Sequence, residues 1–126
     1  MLIVVLKSKI HRVTVTDHDL DYEGSLTLDR DLIERAALYP YEKIAVWNVS
    51  NGHRFETYVI EGPPGSGVVC VNGAAAHLAT KGDILIVAAY SLVEAPPAGQ
   101  PAPAPRIVRV DAHNRPMPDS GPELAR

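Results

Sequence analysis

Short runs of β-branched and other apolar residues, cut at intervals by turn residues, limit the folds open to this chain more than any other feature. Residues 10–16, 44–49, 55–60, 67–71 and 84–90 are such runs. Asn51-Gly52, Pro63-Pro64-Gly65 and Lys81-Gly82-Asp83 fall between them. Runs of this kind read as strands and the breaks as turns. Residues 1–6 are apolar but meet Lys7 and Lys9 at once. They read as a buried strand, not as a signal peptide or a membrane span. One helix is expected: Asp29 caps it, Leu32, Ile33, Ala36 and Ala37 form its apolar stripe, and Pro40 blocks its extension. A second, short helix is expected over residues 74–79, after Asn72-Gly73. Many strands and two small helices in 126 residues predict one mainly β domain closed into a barrel, because closure removes exposed sheet edges.

The pattern changes near Glu94. Residues 95–105 are Pro, Ala, Gly and Gln only, which supplies too little apolar surface to offset the entropy of ordering. The expected division is a body over residues 1–93 and a Pro/Ala-rich, flexible tail over residues 94–126. The alternative for Ile107-Val108-Arg109-Val110 is a short strand docked on the body. A formal charge of −3 without a basic cluster argues against nucleic acid as a partner. Cys70 is the only cysteine, so an internal disulfide is excluded and no thiolate metal site is evident. The count fits a reducing cytoplasm. Asn48-Val49-Ser50 matches a glycosylation sequon, read as chance because no secretion signal accompanies it.

Several residues could carry chemistry. A serine hydroxyl such as that of Ser25 can attack the carbonyl before it, and Gly24, lacking Cβ, permits the backbone shape of the ring intermediate. Alone, Gly24-Ser25 reads as a turn, as does Gly65-Ser66. Lys9 and His11 are two apart on an expected strand and share a face, either a pocket wall or a solvated surface. Arg54 and Tyr58, four apart, also share a face. A guanidinium grips carboxylates with paired hydrogen bonds, and a phenol can donate a proton. Alternation sends Thr57 to the opposite side, so serving the same centre needs a twist, a bulge or a subunit boundary. Trp47 reads as core or pocket wall. Small residues after Asn72, namely Gly73, Ala74, Ala75 and Ala76, leave backbone N–H groups open to an anion, or simply make a tight turn into a packed helix. His18, His53 and His77 read as surface residues. The histidines and carboxylates form no metal-ligand pattern, so no metal is expected.

Lys-Ile-His-Arg-Val at 9–13, Tyr-Glu-Gly-Ser at 22–25, Trp-Asn-Val-Ser-Asn-Gly at 47–52, Arg-Phe-Glu-Thr-Tyr at 54–58 and Val-Asn-Gly-Ala-Ala-Ala-His at 71–77 occur in that order. With these motifs the chain resembles the aspartate 1-decarboxylase family over roughly residues 7–90. The resemblance implies a double-psi β-barrel with short helices. It also implies a proenzyme that cleaves itself between Gly24 and Ser25 and converts Ser25 to a covalent pyruvoyl group. The implied reaction is decarboxylation of L-aspartate to β-alanine and CO2 through a Schiff base, supplying pantothenate and coenzyme A biosynthesis. Residue by residue, it implies Ser25 as pyruvoyl precursor, Tyr58 as proton donor, and Thr57 as an aid to processing that also meets substrate. Lys9 and Arg54 would hold carboxylates. Asn72, Gly73, Ala74 and Ala75 would bind substrate, and His11, Tyr22 and Trp47 would support the site. It further implies a cytoplasmic homotetramer with sites between subunits; several relatives need a maturation factor, and the sequence leaves that need open here. Neither nucleic acid nor membrane is an expected partner. A noncatalytic small-molecule-binding barrel of the same fold is the alternative; intact Lys9, Ser25, Arg54 and Tyr58 weigh against it.

Overall fold

Two adjacent strands of one chain alternate their side chains, and that alternation builds most of this molecule. The computed structural model describes residues 1–21 and 23–118. Its strands are β1 (Leu2–Thr14), β2 (Asp17–Asp19), β3 (Ser25–Asp29), β4 (Lys43–Asn48), β5 (Arg54–Gly62), β6 (Val69–Asn72), β7 (Ile84–Glu94) and β8 (Arg106–Arg109). They form one sheet in the order β2-β6-β3-β5-β4-β7-β1-β8. The fold is therefore mainly β and barrel-like, but its hydrogen bonding stays open at β2 and β8. Most neighbours are antiparallel; β1–β8, β2–β6 and β3–β5 run parallel. Ile10, Val13, Leu26, Leu28, Val46, Val59, Val69, Val71, Leu85 and Val87 turn inward and form one core with Leu32 and Ile33 of the helix.

The helix α1 (Arg30–Arg35) begins where expected. Asp29 caps it, its carboxylate accepting the Asp31 N–H at 2.8 Å. That carboxylate also accepts from Gly65 N–H (3.0 Å) and Gly67 N–H (2.8 Å). One buried side chain thus fixes both a helix start and the β5–β6 loop. The helix is shorter than its apolar stripe suggests, because Ala37 takes a left-handed conformation with φ 56°. The second helix is a 3₁₀ turn over Gly73–His77, and Gly73 enters it at φ 65°. No helix among the described residues is long and apolar enough to cross a membrane.

Residues 1–6 lie in a strand, but Leu2 and Val4 are exposed, with Tyr90 and Leu92 of β7 beside them also exposed. The expected burial is not provided within one chain. β1 carries two register irregularities against β7, one at Lys7 and one between Ile10 and Val13. The first aims Lys7 away from the ladder. Its ammonium donates to the carboxylate of Glu42 (2.6 and 2.9 Å) and to the carbonyl of Ala37 (2.9 Å).

The segment after residue 105 differs from the expected flexible tail. β8 docks parallel to β1, with Ile107 and Val108 buried. Two apolar side chains and a free strand edge are enough to offset the ordering of a short segment. Asn114, 2 % exposed, clips the chain beyond it. Its Nδ2 donates to the carbonyls of Thr14 (2.8 Å) and Gly67 (2.9 Å), and its Oδ1 accepts from Thr14 N–H (2.8 Å). Gly67 allows this close approach, because a Cβ there would sit 2.5 Å from the His113 carbonyl oxygen. Residues 119–126 of the expected tail, and Tyr22, lie outside the described residues.

Candidate active site

Ser25, Leu26, Thr27 and Leu28 alternate polar and apolar along β3, so Ser25 and Thr27 share one face while the leucines enter the core. Cys70 and Asn72 do the same on β6, between Val69 and Val71. The antiparallel register sets Ser25 opposite Asn72 and Thr27 opposite Cys70. Four polar side chains therefore meet on one patch of sheet. Asn72 Nδ2 donates to Ser25 Oγ and to Thr27 Oγ1, each at 3.0 Å. Cys70 Sγ donates to Asn72 Oδ1 at 3.2 Å. Ser25 is fully buried and Asn72 is 4 % exposed. The Asn72 side chain makes no cap bond to the 3₁₀ turn that follows it, being engaged with β3. Burial, with the nearby carboxylates of Asp17 and Asp19, pushes the Cys70 thiol up from its ordinary pKa.

Ser25 also lines a cleft of about 390 Å³ with Glu23, Tyr41, Tyr58 and Glu61. The Tyr58 and Tyr41 rings lie 6.3 Å apart between centroids. The parallel pairing of Leu26 with Val59 brings the preceding residues of the two strands, Ser25 and Tyr58, to the same end of the ladder. Thr57 is half-buried on the face opposite Tyr58, as alternation requires. Gly24 is exposed, and a Cβ there would meet nothing within 4 Å. Its φ is not positive. The uncleaved backbone thus makes no demand for glycine at this position, unlike at Gly73.

The other expected residues do not all join this cleft. Trp47 and Arg54 face each other across β4 and β5, with the guanidinium carbon 5.0 Å from the indole centroid. They line a separate groove of about 720 Å³ with Val4, Lys43, Glu56 and Tyr90. Arg54 and Tyr58 both occupy the exposed face of β5, but four strand steps of about 3.3 Å keep them roughly 13 Å apart. Lys9 is buried between Ala88 of β7 and Ile107 of β8, and His11 is half-buried level with Arg109. Ala74 is exposed and Ala75 half-buried on the 3₁₀ turn. His77 and His53 are exposed, as expected, whereas His18 is half-buried with its Nδ1 inside. Among the described residues no group of three His, Cys, Asp or Glu side chains is placed to hold a metal ion. Asn48 is buried and donates to the Leu78 carbonyl (3.0 Å) and the Asp83 carboxylate (2.9 Å), so its amide is spent inside the fold. Those bonds, with the Thr80 N–H, hold Asp83 below the ordinary carboxylate range.

Thr27, Cys70 and Tyr41 escaped the sequence reading. The available signal was the two-residue spacing of Ser25 with Thr27 and of Cys70 with Asn72, which only a strand assignment for residues 25–29 would have exposed.

Comparison with known proteins agrees with the resemblance carried by the motifs. The family model described as aspartate decarboxylase matches residues 1–117. The aspartate 1-decarboxylase of Myxococcus xanthus is 50% identical over 121 residues, covering 96% of this chain and 92% of that protein. The aspartate 1-decarboxylase of Syntrophotalea carbinolica is 53% identical over 112 residues, covering 89% of this chain and 84% of that protein. That of Neisseria meningitidis serogroup C is 51% identical over 115 residues, covering 91% and 89%.

Proposed function

This chain belongs to the aspartate decarboxylase family, and from that premise we propose that Ser25 is the residue from which it makes its catalytic group. The reaction is decarboxylation of L-aspartate to β-alanine and CO2 in pantothenate biosynthesis. The observation that carries the assignment of Ser25 is its position. Ser25, its buried hydroxyl held by Asn72 at 3.0 Å, follows directly on the exposed Gly24 and is among the residues lining the cleft that holds Tyr58.

Processing follows from these atoms. Ser25 Oγ attacks the Gly24 carbonyl carbon, and the peptide bond becomes an ester with a free amine on Ser25. Loss of the Ser25 α-proton then breaks the Cβ–O bond, releasing Gly24 as a carboxylate and leaving a dehydroalanine. Water converts this to a pyruvoyl terminus and ammonia. Thr57, on the face of β5 opposite Tyr58, would assist this cleavage. The surroundings fit the group: Asn72 supplies an amide donor, and the cleft has room for a small substrate. Once formed, the pyruvoyl group supplies a ketone that takes up the substrate amine and accepts the electrons released with CO2.

The remaining residues position a dianionic substrate. Tyr58 delivers a proton to the former α-carbon. Arg54 and Lys9 bind carboxylates; a guanidinium does so with two parallel bonds. Asn72, Gly73, Ala74 and Ala75 edge the substrate space, and His11, Tyr22 and Trp47 shape the site. Since Arg54 and Trp47 stand away from Ser25 in one chain, a second copy must bring its own Arg54 to the cleft. The exposed Leu2, Val4, Tyr90 and Leu92 beside that groove suit such an interface, and a homotetramer would supply it.

Denaturing mass spectrometry tests the assignment. The mature protein is expected as two fragments, residues 1–24 and a larger one whose first residue has lost its amine and gained a carbonyl. Ser25→Ala is expected to remain one chain and form no β-alanine. β-Alanine production by that variant would refute the role of Ser25.

A further inference from the structure

The Asn72 amide can face Ser25 in two ways, and the choice matters for self-cleavage. With nitrogen toward Ser25, its N–H supports the oxygen as the hydroxyl loses its proton, since hydrogen bonding to a developing charge favours it. With oxygen toward Ser25, the amide accepts the hydroxyl hydrogen and opposes its loss. Both Ser25 and Thr27 are hydroxyls, able to donate or accept. Neither alone settles the orientation.

Cys70 supplies the missing bias. Its S–H donates to Asn72 Oδ1 at 3.2 Å, so the two amide hydrogens point at Ser25 Oγ and Thr27 Oγ1, 3.0 Å from each. Both amide N–H groups and the carbonyl oxygen are then engaged. The reverse orientation would set the NH₂ group against sulfur, a weak acceptor. Burial, with Asp17 and Asp19, pushes the Cys70 thiol up, which further favours the S–H form that can donate.

We propose that Cys70 and Thr27 are positioning residues for processing, which together hold the Asn72 amide with its N–H directed at the Ser25 hydroxyl oxygen. This rests on the reading of Ser25 as the processing residue. In the step concerned, the bond from Ser25 Oγ to the Gly24 carbonyl carbon forms and the amide C–N bond breaks. The hydroxyl proton ends on the Ser25 nitrogen, which becomes the free amine. Neither Cys70 nor Thr27 exchanges an atom in it.

The test follows cleavage of the full chain over time by denaturing mass spectrometry, with circular dichroism melts alongside. Cys70→Ala is expected to cleave about five-fold slower or more, the scale of one lost hydrogen bond. Cys70→Ser, which restores an O–H donor to the same oxygen, is expected to recover most of the wild-type rate. Thr27→Val should likewise be slow and Thr27→Ser should recover. Packing alone does not distinguish serine from alanine in this manner. Capping the wild-type thiol with methyl methanethiosulfonate should also slow cleavage, and dithiothreitol should reverse the effect, which covers a variant that fails to fold. Wild-type cleavage with an equally fast Cys70→Ala overturns the positioning role and leaves the assignment of Ser25 standing. A Cys70→Ser as slow as Cys70→Ala also overturns it. A wild-type chain that never cleaves removes both.

Discussion

Tyr58 and Thr57 are neighbours in sequence that the strand sends to opposite faces, and the division suits two separate tasks. Tyr58 stands in the cleft with Ser25, where a phenol can reach a substrate. Thr57 lies half-buried on the other face and is proposed to aid processing. Tyr58→Phe is therefore expected to cleave at a near-normal rate yet form β-alanine about a hundred-fold more slowly per cleaved chain, within the range for loss of a general acid. A coupled assay of β-alanine, normalised to the cleaved fraction, checks this; near-normal turnover would withdraw the proton-donor role. The alternation expected for Thr57 from the sequence is the one found, since it faces away from Tyr58, so serving the same centre still calls for a twist, a bulge or a second subunit.

At the scale of elements, Asp29 joins α1 to the β5–β6 loop through three backbone N–H groups. Asp29→Ala leaves those donors unpaired in a region with little water and removes a helix cap. The expected loss is about 3 kcal/mol of stability, summing a cap and at least one unsatisfied buried donor. Urea unfolding measures it, and a change under about 0.5 kcal/mol, the range of an ordinary surface substitution, would show that water replaces the carboxylate. The cap itself was legible, because Asp29 precedes an apolar stripe at helical spacing. The links to Gly65 and Gly67 were not, since they depend on how a loop 36 residues away in the chain returns to the helix. The strand β3 was also missed. Its polar residues at 25 and 27 weaken the apolar signal of a five-residue segment.

At the scale of the molecule, cleavage after Gly24 would leave β1 and β2 on a separate peptide. Strand pairing would then hold that peptide, β1 with β7 and β8 and β2 with β6, together with the core packing of Ile10 and Val13 and the Lys7–Glu42 ion pair. Asn114 adds direct bonds to Thr14. The segment after residue 105 thus acts as a strap over the small fragment. A cleaved chain ending at residue 105 is expected to release its 1–24 peptide at lower urea concentration than the full-length protein does. Size-exclusion chromatography with mass detection would show it; equal retention would mean that the contacts other than those of the segment after residue 105 suffice. The Pro/Ala-rich stretch before β8 suggested a tail because composition reports on residues 95–105 themselves. It carries no information about the edge of β1 that waits at the far side.

The sequence by itself determined the strand-rich class, the start of α1, the turns at glycine and the family, because each depends on local alternation, capping chemistry or a motif read in order. The tertiary structure alone decided that Cys70, Asn72, Thr27 and Ser25 form one hydrogen-bonded patch and that Arg54 lies apart from them. It also decided that β8 closes over β1. These follow from strand register and from which edges find partners, and such long-range pairings are fixed by the packing of the whole core, not by any segment's own residues.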